Sequence, residues 1–304
     1  MTRRELLQGT ALLGAGLLPL SVAEAAELSV IKLGKGRFSY TDPIVNPGKT
    51  LTVWYYLPVD KKADKTPILF VMHGTLRNGE TYRDQWADLA QKYGVLLIVP
   101  EFSGDDYPSG KYNRGNVRGK DDEAPQPPET WTFAVIERLF DYIKKITGNG
   151  AKQYDIYGHS AGGQFVHRLA LLMPAARYHR AVAANVGYYT LPTLDGPDPY
   201  PFSLKTTPAT PATLKTDFGQ ELVVLLGEND TDTKDPDLYH SPQADKQGLF
   251  RFARGQYFYQ MGKEAASVAK TKFQWRLITV PGVGHSNELM ASAAAESLYG
   301  KDRS

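Results

Sequence analysis

Several stretches of this 304-residue sequence are apolar at every position. Ile68-Leu69-Phe70-Val71-Met72 is one, and Val95-Leu96-Leu97-Ile98-Val99, stopped by Pro100, is another. A strand with one wet face alternates polar and apolar residues, whereas a short run without polar interruption has both faces covered. Such strands require layers on both sides of a sheet. Further strands are expected at 28–33, 51–57, 154–157, 181–186, 222–226 and 276–280. Helical segments lie between them. Over 131–146, Val135, Ile136, Leu139, Ile143 and Ile146 share one face, and Gly148 follows as a stop. Further helices are expected at 82–91, 162–173, 257–270 and 287–299. The alternation predicts an α/β fold, a mostly parallel sheet with helices on both faces.

Composition narrows the chemistry. There is no cysteine, which excludes disulfide frameworks, cysteine-bound zinc and a thiol nucleophile. The net charge is +2 without a basic block, so nucleic acid is not an expected partner. At the N-terminus, paired Arg3 and Arg4 precede a small apolar run over 9–20, then Ala23-Glu24-Ala25. This is the pattern of an export signal over residues 1–25, with the paired arginines pointing to the twin-arginine machinery as a partner. The run is about a dozen residues, and spanning a bilayer takes about 20. A periplasmic or secreted product, without a stable membrane anchor once the signal is removed, is therefore expected. Residues 26–304 form the expected catalytic domain, with a proline-rich insertion near 188–215.

The sharpest motif is Gly158-His159-Ser160-Ala161-Gly162-Gly163, directly after one expected strand and directly before one expected helix. In that context G-x-S-x-G places Ser160 on a tight turn as a nucleophile, with small neighbours allowing strand and helix to approach. A serine hydroxyl needs a base. Of six histidines, His285 follows the last expected strand, where the order Ser–Asp–His puts the base. The carboxylate belongs on the loop after 222–226, which reads Gly227-Glu228-Asn229-Asp230-Thr231-Asp232; Asp230 is the first choice, Asp232 the rival, Glu228 third. A calcium-binding reading of Asp230, Asp232, Asp235 and Asp237 is disfavoured, since no turn glycine or closing glutamate accompanies them. The oxyanion donors expected are the amides of Ala161 and Thr75, with Leu76 the alternative to Thr75. Two long irregular stretches, 101–130 and 191–212, are expected to help form the site. The second is expected to cover Ser160, with Tyr188, Tyr189, Tyr200 and Phe202 as a pocket wall.

The segments LFVMHGT, GHSAGG, GEND and VPGVGH, in this order, resemble the α/β-hydrolase superfamily across essentially the whole body of the chain. Within it, the export signal, the single HG-type loop and NVGYYTLP are similar to exported esterases grouped with polyhydroxybutyrate depolymerases and feruloyl esterases. The resemblance implies a serine esterase with a Ser160–His285–Asp230 triad, an acyl-enzyme intermediate, a small-molecule ester substrate and no cofactor or metal. A serine peptidase or amidase on the same fold, or a polyester depolymerase, is the alternative.

Overall fold

A computed structural model describes residues 31–119 and 124–300. The expected export signal lies outside the described residues. Among the described residues, eight strands and seven α-helices follow one another as β1 (Gly34–Thr41), β2 (Thr50–Leu57), β3 (Ile68–Met72), α1 (Gly79–Tyr93), β4 (Leu96–Glu101), α2 (Thr132–Thr147), β5 (Tyr154–His159), α3 (Ala161–Leu172), β6 (Tyr178–Ala184), α4 (Pro211–Phe218), β7 (Glu221–Gly227), α5 (Pro242–Asp245), α6 (Arg251–Val268), β8 (Arg276–Val280) and α7 (Asn287–Tyr299). One sheet holds all eight strands in the order β1-β2-β4-β3-β5-β6-β7-β8. β1 and β2 pair antiparallel, as do β2 and β4; every other pair is parallel. The α/β expectation holds.

β3 shows why its sequence is apolar throughout. Ile68, Phe70 and Met72 enter a core with Val135, Ile136, Leu139 and Phe165 on one face. Leu69 and Val71 enter a second core with Trp86, Met290 and Ala294 on the other. The chain turns from β3 to β4 on one side, then crosses to β5 on the other, with Met72 paired to Gly158. The carboxyl ends of β3 and β5 thus flank the point where strand order reverses, where crevices form in open parallel sheets.

Several elements depart from expectation. Residues 31–33 are not a strand, and β1 begins at Gly34. It is an edge strand whose burial falls on Phe38 and Tyr40, so its apolar signal is weak. Helix α6 starts at Arg251, six residues before the expected 257, because Arg251, Arg254 and Gly255 are among its buried residues and break the apolar period. The short helices α4 and α5 lack a readable period. α4 starts instead on Pro211 with Thr210 accepting from the Thr213 amide.

Candidate active site

β5 ends and α3 begins around one residue. Ser160 has φ 57° and ψ −117°, a backbone region that residues with a Cβ rarely occupy. The turn closes because its neighbours lack side chains: a Cβ on Gly158 would overlap the Gly162 carbonyl, and one on Gly162 would overlap that of Met72. The Ser160 amide donates to Ala184 O at 3.0 Å, and its carbonyl accepts from the Gln164 amide at 3.0 Å. Ala161 opens α3, so its amide is among the N–H groups for which the helix provides no acceptor.

Ser160 borders a cleft of about 260 Å³ together with Gly74, Thr75, Leu76, Asp237 and His285. Asp230 lies behind His285, 3% exposed. His285 Nδ1 and Asp230 Oδ2 are 2.8 Å apart. A carboxylate only accepts, so Nδ1 carries the proton and Nε2 is left as an acceptor. Ser160 and His285 share the cleft without a hydrogen bond between them. The rivals of Asp230 are engaged elsewhere: Glu228 accepts from Thr279 Oγ1 at 2.7 Å, and the exposed Asp232 from the Lys234 amide at 2.8 Å. Among the described residues no group of three acidic or histidine side chains is placed to hold a metal ion.

The loop after β3 is held from behind. His73 is fully buried, its Nε2 accepts the Phe102 amide at 3.0 Å, and Tyr112 stacks on it at 4.7 Å while donating to its carbonyl. Burial lowers the His73 imidazole to about 3, so it stays neutral and acts as a brace. Gly74, Thr75 and Leu76 then reach the cleft, with the Arg77 amide closing the turn on Gly74 O at 3.2 Å.

The other histidines sit in other surroundings, and one of them, His240, also has a carboxylate at Nδ1, Asp245 at 2.9 Å. His167 is buried and accepts the Thr190 amide; His179 and His240 are exposed. His159 lies 4.6 Å from the His285 ring, centroid to centroid. Burial, then the charges of His285 and Arg251, holds it well below the usual imidazole range.

Three further residues, none of them given a role from the sequence, brace this arrangement. Asn185, left-handed at φ 45°, accepts from the Gly227 amide at 2.8 Å and donates to Gly284 O at 2.9 Å, tying β6 to β7 and to the His285 loop. Tyr82 bonds His159 Nδ1 at 3.2 Å through its hydroxyl. Arg251 reaches Asp230 from α6. Only Asn185 carried a hint, as a polar residue at a strand's carboxyl end.

The two long loops behave differently from expectation. The 191–212 stretch does not cover Ser160, since none of its residues borders that cleft. Aromatic rings beside and within it pin it to the body instead: Tyr189, just before it, stacks on Phe258 at 4.4 Å, and Tyr200, inside it, bonds Arg114 O. The loop after β4 braces His73 through Tyr112, and with Tyr200 and Pro201 it bounds a separate cleft of about 510 Å³ bearing Lys111, Arg114 and Arg118.

No protein-family model and no curated protein matches the chain. Solved structures do. Poly(aspartic acid) hydrolase-1 from Sphingomonas sp. KT-1 is 44% identical, with a TM-score of 0.82 over 88% of this chain and 98% of its own. LpqC, a poly(3-hydroxybutyrate) depolymerase from Bordetella parapertussis, is 33% identical, with a TM-score of 0.84 over 92% of this chain and 95% of its own. An S-formylglutathione hydrolase from Agrobacterium tumefaciens, 17% identical with a TM-score of 0.55 over 87% and 92%, shares the fold. With its reversed-order sheet, its serine turn and these relatives, the chain belongs to the α/β-hydrolase superfamily and is a hydrolase.

Proposed function

We propose that the protein is a serine hydrolase that opens carboxylic esters by acyl transfer. The observation that carries this is the 2.8 Å bond from His285 Nδ1 to Asp230, in the cleft that Ser160 borders. His285 Nε2 takes the Ser160 proton as the hydroxyl attacks the carbonyl, and Asp230 stabilises the imidazolium that results. The oxyanion rests on the Ala161 and Thr75 amides. His285 returns the proton to the leaving alcohol, then draws one from the water that releases the acid. Ser160→Ala tests this: a fluorophosphonate probe labels the wild type once and the variant not at all. Turnover of a soluble aryl ester falls on the order of 10³-fold or more. A variant that keeps near-wild-type turnover sinks the reading.

A second reading concerns the substrate, the amide backbone of a carboxylated polymer. It is favoured by the 44% identity to a poly(aspartic acid) hydrolase and by the larger cleft, which bears three cationic side chains and, among the described residues, no acidic one. Acyl transfer serves amides too, with the proton going to an amine. Parallel rates on an aryl ester, soluble poly(aspartate) and a poly(3-hydroxybutyrate) film separate these substrates. Rapid chain shortening of poly(aspartate), weakened by salt, selects the amide; loss of the film selects the polyester. Export to the periplasm or beyond rests on residues 1–25, and among the described residues no helix is long and apolar enough to cross a membrane. Retention in the cytoplasm after Arg3→Lys with Arg4→Lys tests the twin-arginine route.

A further inference from the structure

Arg251 is the first residue of α6 and is 1% exposed. As a stability device it is badly placed. A cation at a helix N-terminus faces the positive end of the dipole, and a buried guanidinium is costly unless its donors are used. Its Nε and Nη2 have no partner. Its bonds run through Nη1 alone, to Asp235 Oδ2 at 2.6 Å and to Asp230 Oδ1 at 3.3 Å.

Asp230 therefore has one oxygen facing Arg251 and the other bonded to His285. The same segment is joined a second time, since the Phe252 amide donates to Asp230 O at 3.1 Å. A carboxylate free to rotate about its Cβ–Cγ bond would offer His285 a moving acceptor. One held on the opposite side by a cation offers a fixed one.

We propose that Arg251 is a positioning residue of the hydrolytic site, anchored by Asp235, that sets the rotamer of Asp230 and through it the aim of His285. This rests on the serine-hydrolase reading. The arrangement also places a fixed positive charge behind the Asp230–His285 pair, opposing the charge that His285 acquires when it takes the serine proton. Arg251 thus favours a well-aimed base and disfavours an over-stabilised imidazolium.

The groups facing His285 are Asp230, Asp235 and Asp237 from the loop after β7, Arg251 from α6, His159 from β5 and Tyr82 from α1. Burial first, then the neighbouring charges, holds His159 well below the usual imidazole range, and burial raises the Tyr82 phenol. The displacement of the acid limb between variants therefore reads the change in fixed charge around His285.

The test uses the full-length protein, a soluble p-nitrophenyl ester, and kcat, KM and kcat/KM against pH for Arg251→Met, Arg251→Lys and Asp235→Asn. Active sites are counted with a fluorophosphonate so that misfolded protein does not enter kcat. Arg251→Met is expected to lower kcat on the order of 10- to 100-fold, the usual loss when a group orienting a functional ligand is removed. KM stays near wild type, and the acid limb moves to higher pH because a cation beside the imidazolium is gone. Arg251→Lys keeps the charge and returns the limb towards its wild-type place, while kcat recovers only in part. Asp235→Asn leaves Arg251 less compensated and moves the limb the other way, to lower pH. A purely structural role predicts losses without these opposite shifts. If Arg251→Met does not fold, the Lys and Asn variants decide alone. Unmoved limbs, shifts of the same sign in Arg251→Met and Asp235→Asn, or a change confined to KM overturn the proposal. If these variants behave as wild type while Ser160→Ala is dead, only Arg251 loses its role; if Ser160→Ala is active, the triad reading itself falls.

Discussion

Strand β7 has a buried aspartate near each end. Asp217 is the last residue but one of helix α4, just before it, and Asp230 lies just after it; they are 1% and 3% exposed. Asp230 meets His285 and Arg251. Neither oxygen of Asp217 has a partner, and burial pushes its carboxyl up to about 8. The difference follows from topology. At the carboxyl edge of a parallel sheet, loops from several strands converge and bring side chains from distant parts of the chain together. At the amino edge of β7 the buried carboxyl meets no such partner and holds its proton instead.

The comparison breaks first at its paired end. Asp230→Asn should fold normally and lose on the order of 10⁴-fold in kcat, because an amide no longer specifies the His285 tautomer. Turnover of a soluble ester within tenfold of wild type would mean that Asp230 is no more a catalytic partner than Asp217 is.

The unpaired end is sharpened by Asp217→Asn. A carboxyl whose folded pKa is raised contributes stability below its unfolded pKa and loses it as pH rises. The window runs from the ordinary carboxyl value of 3.8 to about 8. Wild type should lose up to about 1.4 kcal/mol per pH unit across it from this group, and the variant should not. Denaturant midpoints taken between these limits measure the slope. Parallel slopes would show that Asp217 keeps its charge in the folded state. Ester turnover should be unaffected, since Asp217 does not border the Ser160 cleft.

The smallest effect is expected at Asp232, two residues beyond Asp230 and exposed. Asp232→Asn should change stability by less than about 0.5 kcal/mol and leave kcat unchanged. A crippled Asp232→Asn beside an active Asp230→Asn would exchange their roles.

Much of the architecture was legible because it is local. β3, β7 and β8 lie within one residue of where their apolar runs end, and α2 within one residue at each end. The illegible parts share a cause: β1 is half exposed, and the first turn of α6 buries arginines instead of aliphatic side chains. The proline-rich stretch was legible as irregular but not as to what it covers. Stiffness is a property of the chain; the surface it rests on, here Phe258 and the Arg114 loop, is set by the rest of the molecule.

The sequence by itself determined the alternation of buried strands and helices and the glycine-flanked serine turn. It also supplied the order in which Ser160, Asp230 and His285 occur. These depend on neighbouring residues and on where a strand ends. Tertiary structure decided which of two neighbouring imidazoles has a carboxylate behind it: His285 has Asp230, while His159, 4.6 Å away, is buried and has no acidic partner among the described residues. It also decided that one buried aspartate is paired and the other is not, and that a helix-initial arginine stands behind the first. Burial and charge are sums over atoms far apart in the chain, and only the folded molecule brings those atoms within reach of one another.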